Sequence, residues 1–115
     1  RELYDEPVAD KQTVRHRLVE SREQFEAARA LTWEACEHVM AGDSPAFWAS
    51  LAKSHATRAA EDIAQTAVQL HGGEGLREET RANRAYRDAK YPSIYEGANA
   101  VQRDLAYGHW PERER

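Results

Sequence analysis

From Asp10 to Ala41 the chain contains neither glycine nor proline, and apolar or small residues recur at Val14, Leu18, Ser21, Phe25, Ala28, Thr32, Ala35 and Val39. The steps between them alternate four and three residues. That spacing returns side chains to one face of a helix with 3.6 residues per turn, and no strand of period two can satisfy it. The spacing predicts a helix over 10–41. A helix with one apolar stripe gains most of its stability by packing that stripe on a partner. Ser21, Ala28, Thr32 and Ala35 are small, so the partner must come close, as in a bundle.

The partner follows at once. Gly42 can adopt the left-handed dihedrals that close a helix. Ser44 suits an N-cap and Pro45 a first helical position. A second helix is expected over 45–70, with Trp48, Leu51, Ala52, His55, Ala59, Ile63, Ala67 and Leu70 on its inner face. Alanines at 49, 52, 56, 59, 60, 64 and 67 favour helix and permit tight approach. Gly72, Gly73 and Gly75 break it. The charged stretch beyond is expected to hold a short helix over about 78–91, punctuated by Pro92. A last helix over about 97–108 carries Ala98, Val101, Leu105 and Ala106, and ends at Gly108 and Pro111. Residues 1–9 read as an irregular lead-in. The expected fold is all-α, one domain over 1–115, an incomplete helical bundle. The short last helix is too small to cover two long stripes, so an apolar groove stays open or a helix comes from elsewhere.

Composition excludes several roles. The net charge is −4, with basic and acidic residues interleaved, so the chain has no general attraction to nucleic acid or an anionic membrane. The single cysteine, Cys36, rules out an internal disulfide and reads as core filler. The five histidines show no metal-binding spacing. His55 reads as a satisfied core histidine, and Trp33, Trp48 and Phe47 as packing residues. No apolar run is long enough to span a membrane, and no charged-then-apolar leader is visible. The expected compartment is cytoplasmic.

Three segments could carry chemistry. Gln69–Gly75, QLHGGEG, frees backbone at a helix end for a ligand, or is simply a helix stop and turn. It closes a helix rather than opening one after a strand, so it is not a dinucleotide fingerprint. In Arg87–Lys90, RDAK, the Arg87 fork could anchor a carboxylate or phosphate, or lie in a solvated charge run. In Ile94–Gly97, IYEG, Glu96 reads on pattern alone as a carboxylate capping the next helix. The other reading is a general base beside a cavity.

Taken together and in order, QLHGGEG, RDAK and the stretch IYEGANAVQR over 94–103 closely resemble the C-terminal domain of the acyl-CoA dehydrogenase family. Arg1-Glu2-Leu3-Tyr4-Asp5 resembles that family's Arg-x-x-Phe-Gly segment. Pro7, Val8, Gln12 and Val14 resemble the apolar–glutamine pattern after it. The resemblance covers nearly the whole chain. It implies an FAD-dependent oxidoreductase of fatty acid metabolism that removes hydrogens from the α and β carbons of an acyl-CoA thioester. It assigns the general base to Glu96 and cofactor contacts to Arg1, Tyr4, Gln69, Gly72 and Gly73. Of these, Arg1, Gln69 and Gly73 match residues that face the FAD of a neighbouring subunit. No metal is implied.

The chain departs from the family's pattern at four places. Tyr4 and Asp5 stand where the family has phenylalanine and glycine, Ala98 where it has threonine, and Glu74 adds a charge to the glycine turn. The resemblance also implies a helical domain, a β domain and one further long helix that this sequence does not contain. Two functional expectations follow. One is a part of an acyl-CoA dehydrogenase, completed by a homo-oligomer or by a partner chain carrying the missing domains and inactive alone. The other is a non-catalytic helical interaction or oligomerisation module derived from that family.

Overall fold

The structure is a computed structural model, and it describes residues 2–3 and 5–111. Its main elements are four helices: α1 (Gln12–Ala41), α2 (Ala46–His71), α3 (Arg81–Asp88) and α4 (Asn99–Gly108). α1 and α2 form a long hairpin, and α3 and α4 pack on α2. Short 3-10 turns at Val8–Asp10, Gly72–Leu76 and Tyr91–Ser93 join them. The lead-in, expected to be irregular, is instead a small antiparallel ribbon, β1 (Glu2–Leu3) with β2 (Glu6–Pro7), pairing Glu2 with Pro7 and Leu3 with Glu6. Asp5 turns it with φ 62°. Aspartate is one of the few residues other than glycine that tolerates this conformation.

The helix ends follow from local chemistry. At the end of α1, Gly42 is left-handed at φ 78°, its N–H donates to Val39 O (3.1 Å), and Asp43 N–H donates to His38 O (2.9 Å). That pair of bonds is the Schellman arrangement, and it satisfies two carbonyls the helix would leave orphaned. At the start of α2 the boundary shifts by one residue. Pro45 is the cap rather than the first helical residue, its carbonyl accepts from Ala49 N–H (2.8 Å), and Ser44 Oγ accepts from Ala46 N–H (3.4 Å). α3 is shorter than the 78–91 expected. Thr80 caps it by accepting from Asn83 N–H (3.2 Å), which fixes its start beyond the charged turn.

The buried residues are small. The buried apolar ones are Ala35, Ala52, Ala59, Ala64, Ala82 and Ala106, joined by Ser50, Ser54 and Thr57. On α1 the half-buried seam runs through Ser21, Gln24, Ala28, Leu31, Ala35 and His38. Half of the predicted stripe lies on this seam. The other half, at Leu18, Phe25, Thr32 and Val39, sits on the adjoining flank and is exposed. Its apolar members Leu18, Phe25 and Val39 are 48%, 49% and 60% exposed, and Trp33, expected to pack, is 60% exposed. The apolar face of α1 is therefore wider than the strip α2 covers. A radius of gyration of 17.5 Å and extents of 57 × 27 × 25 Å describe a rod. A compact domain of this size would have a radius near 13 Å. The accessible surface, 8515 Å², is about a third more than the ~6,400 Å² of a compact monomer of 13.1 kDa.

One glycine in the turn after α2 is demanded by packing and its neighbour is not. A methyl group on Gly75 would lie 2.6 Å from Val68 O, whereas one on Gly73 would meet nothing within 4 Å. Gly75→Ala is expected to destabilise the chain by roughly 1–3 kcal/mol, and Gly73→Ala by well under about 1 kcal/mol. Urea unfolding of both variants checks the contrast.

Candidate functional site

The chain leaves α3 through the 3-10 turn at Tyr91–Ser93 and reaches two consecutive left-handed residues, Glu96 at φ 52° and Gly97 at φ 86°. α4 then begins at Asn99, capped by Ala98, whose side chain has nothing to donate or accept. Glu96 is therefore not the cap of α4. The left-handed pair turns the chain between it and the helix, and the cap position falls two residues later. Positive φ is uncommon outside glycine and persists where the surroundings hold it, so such residues gather at functional turns.

What holds this turn is well defined. Lys53 Nζ, from α2, donates to Tyr95 O (3.2 Å) and to Gly97 O. Gln102 Nε2, from α4, donates to Glu96 O (3.4 Å) and Gly97 O (3.3 Å). Thr57 Oγ1 donates to Asn99 Oδ1 (3.0 Å) and ties the first residue of α4 to α2. All of these bonds use the backbone of the turn or its flank. The Glu96 side chain itself is exposed, and none of the ion pairs among the described residues includes it.

The glycine corner stands elsewhere. Gln69 lies exposed in the last turn of α2, Gly72 follows at φ 63° and ψ −143°, and the backbone at Gly73 is open. Sixteen residues separate Gln69 from Lys53 along α2. At 1.5 Å of rise per residue that is about 24 Å. The structure thus places Gln69, Gly72 and Gly73 together at one end of α2 and Glu96 over its first half, and does not join them in one small site. Arg1 and Tyr4 lie outside the described residues.

Arg87 is exposed and lines a polar cleft of about 290 Å³ with Glu61, Asp62, Gln65, Tyr86 and Lys90. The working contact there is one the sequence gives no sign of: Lys90 Nζ donates to Glu61 Oε2 at 2.9 Å, clamping the end of α3 to α2. The hydrogen bond from Lys90, then one from Ser93, holds the Glu61 carboxyl below its usual range. Trp48 and Phe47 pack as expected, edge to face at 5.2 Å, with Trp110 5.8 Å from Phe47. His55 is not the satisfied core histidine expected: its Nε2 is buried without a hydrogen-bond partner among the described residues. It borders an apolar groove of about 380 Å³ between α2 and α4. Among the described residues no cluster of three or more metal-ligating side chains occurs, and no helix is long and apolar enough to cross a membrane.

Comparison with known proteins agrees with this geometry. Residues 1–108 match the family described as acyl-CoA dehydrogenase, C-terminal domain. The chain belongs to the acyl-CoA dehydrogenase family. It is 34% identical over 103 residues to cyclohexane-1-carbonyl-CoA dehydrogenase of Geobacter metallireducens, covering 90% of this chain and 27% of that protein. It is 35% identical over 111 residues to the mitochondrial short-chain specific acyl-CoA dehydrogenase of Homo sapiens, covering 95% of this chain and 26% of that one. Among solved structures, butyryl-CoA dehydrogenase from Megasphaera elsdenii superposes with a TM-score of 0.91 at 35% identity, over 94% of this chain and 28% of that one. The chain thus spans about a quarter of the length of the relatives it matches.

Two expected outcomes follow. Ala98 occupies an N-cap with extended dihedrals, φ −53° and ψ 154°, so a hydroxyl there can accept from the first turn of α4. Ala98→Thr is expected to raise stability by about 0.5–2 kcal/mol, read from denaturant midpoints. Glu61 has a depressed folded pKa, so its contribution is present above the unfolded value of about 4.5 and is lost as pH falls through the folded value. The pair is partly exposed, so the contribution is at most about 1 kcal/mol. Glu61→Gln should flatten the stability profile below about pH 4.5 relative to wild type, measured by thermal melts across that range.

Proposed function

We propose that this chain supplies the Glu96-bearing part of an FAD-dependent acyl-CoA dehydrogenase, which removes the α and β hydrogens of an acyl-CoA thioester. The observation that carries the reading is the left-handed Glu96, exposed and in none of the ion pairs among the described residues, on a backbone tied down from two helices. A thioester acidifies its α C–H. A fixed carboxylate can take that proton while the electron pair becomes the new α,β double bond. An oxidised flavin held beside the substrate would supply the acceptor for the hydride of the β carbon.

The residues present suit such a cofactor. Gln69, Gly72 and Gly73 would hold it, because the Gly73 backbone is open to close approach and Gln69 is free on the surface to donate or accept. Their distance of about 24 Å from the Lys53 end of α2 fits contacts made to a second subunit's cofactor rather than to the one served by Glu96. Arg1 and Tyr4 join this set by the family's pattern. The partner is a homo-oligomer or a chain with the remaining domains, and we place the assembly in the cytoplasm. The excess apolar surface supports association. It also favours the second reading, a helical interaction module without catalysis.

The test is to purify the chain, add a partner carrying the remaining domains, and follow acyl-CoA-dependent bleaching of flavin absorbance. The mixture is expected to bleach and the chain alone is not. Glu96→Gln is expected to slow bleaching by roughly 10²–10⁴-fold. Full activity in that variant would remove Glu96 from the chemistry, and an absence of both flavin and partner binding would favour neither enzyme part nor module.

A further inference from the structure

We propose that Lys53 is a positioning residue for Glu96: its ammonium ties together the carbonyls on either side of the glutamate and so holds the left-handed backbone from which the carboxylate projects. The consequence for catalysis rests on the reading of Glu96 as the base. The structural claim does not.

Lysine's ammonium has three donors and no acceptor, so its partners must be oxygens. On a helix surface those are ordinarily carboxylates. Lys53 joins none of the ion pairs among the described residues. Its half-buried side chain reaches instead to Tyr95 O at 3.2 Å and to Gly97 O. The two carbonyls belong to the residues immediately before and after Glu96. Bringing both to one cation fixes the peptide that enters Glu96 and the peptide that leaves Gly97, and so brackets the left-handed pair with its φ of 52° and 86°. Gln102 also bonds this turn, but it sits six residues from Glu96 on the helix the turn leads into. It can hold the local shape without fixing where the turn lies. Lys53 is 42 and 44 residues distant from its two partners and belongs to α2. It therefore sets both the conformation of Glu96 and its place against the rest of the bundle. A compact ammonium suits two convergent carbonyls better than the planar fork of arginine does.

The experiment uses the full chain, isotope-labelled, with the φ of Glu96 read from its HN–Hα coupling and backbone shifts by NMR. Lys53→Met keeps the stem and removes the donors. It is expected to leave the helical shifts of α1 and α2 in place and to move Glu96 to negative φ, while Lys53→Arg gives a smaller movement. Retention of positive φ in Lys53→Met would overturn the proposal. A stability cycle guards against a variant too weakened for NMR. Leaving positive φ relieves strain only when residue 96 is not glycine, so Lys53→Met should cost more stability when paired with Glu96→Gly than alone. Strict additivity would equally count against the proposal. In the assembled dehydrogenase, Lys53→Met is expected to lower kcat roughly a hundredfold with little change in the KM for acyl-CoA. If Glu96→Gln leaves the activity intact, the base assignment fails while the NMR result still decides the role of Lys53.

Discussion

Three helices approach α2 closely, and they can do so because the side chains at the contacts are small. Ser50, Ala52, Ser54, Thr57, Ala59 and Ala64 are buried on α2, and no larger residue of that helix is. They fall on two opposite faces of the helix, Ala52 and Ala59 on one and Ser50, Ser54, Thr57 and Ala64 on the other, so a single element can meet α1, α3 and α4. Small residues bring backbones near and give many dispersion contacts, but each buries little apolar area. The hub is thus well placed to fix geometry and poorly placed to supply a large hydrophobic core. The rod shape and the exposed flank of α1, with Phe25, Trp33 and Val39, are the other side of that arrangement.

The same helix organises the candidate chemistry. Lys53 and Thr57, one turn apart, hold the turn of Glu96 and the start of α4. Glu61, one turn further, holds the end of α3 through Lys90. At its far end α2 stops in the glycine corner, where Gly75 closes against Val68 O. The Glu96 turn and the open glycine corner are therefore spaced by a rigid ruler.

The fold was readable in the sequence to the extent that it depends on period and punctuation. The four–three spacing and Gly42 place α1 and its end within two residues. Only half of the stripe is covered: Phe25 and Val39 obey the helical period as well as Ala28 and Ala35 do, and periodicity does not say which of two adjoining flanks a partner covers. Thr80 gives little sign of being a cap, because the charged stretch around it hides a helix of only eight residues. Glu96 was singled out, but pattern alone favoured a helix cap, since nothing local announces a left-handed glutamate before glycine. Lys53 carries no sequence signal, and the RDAK segment that holds Lys90 does not point to Glu61. Each is an ordinary lysine on a charged surface until the tertiary fold brings it to oxygens 29 to 44 residues away.

The central claim is that α2 is the element on which the Glu96 turn and α4 are built. Native-state hydrogen exchange on the full chain tests it most directly. Amides in the middle of α2 are expected to exchange slowest. Those of Tyr95 and Gln102, bonded to Tyr91 O and Ala98 O, should open together with them in one cooperative unit. Independent, low-energy opening of the Glu96 turn and α4 while α2 remains closed would contradict the account.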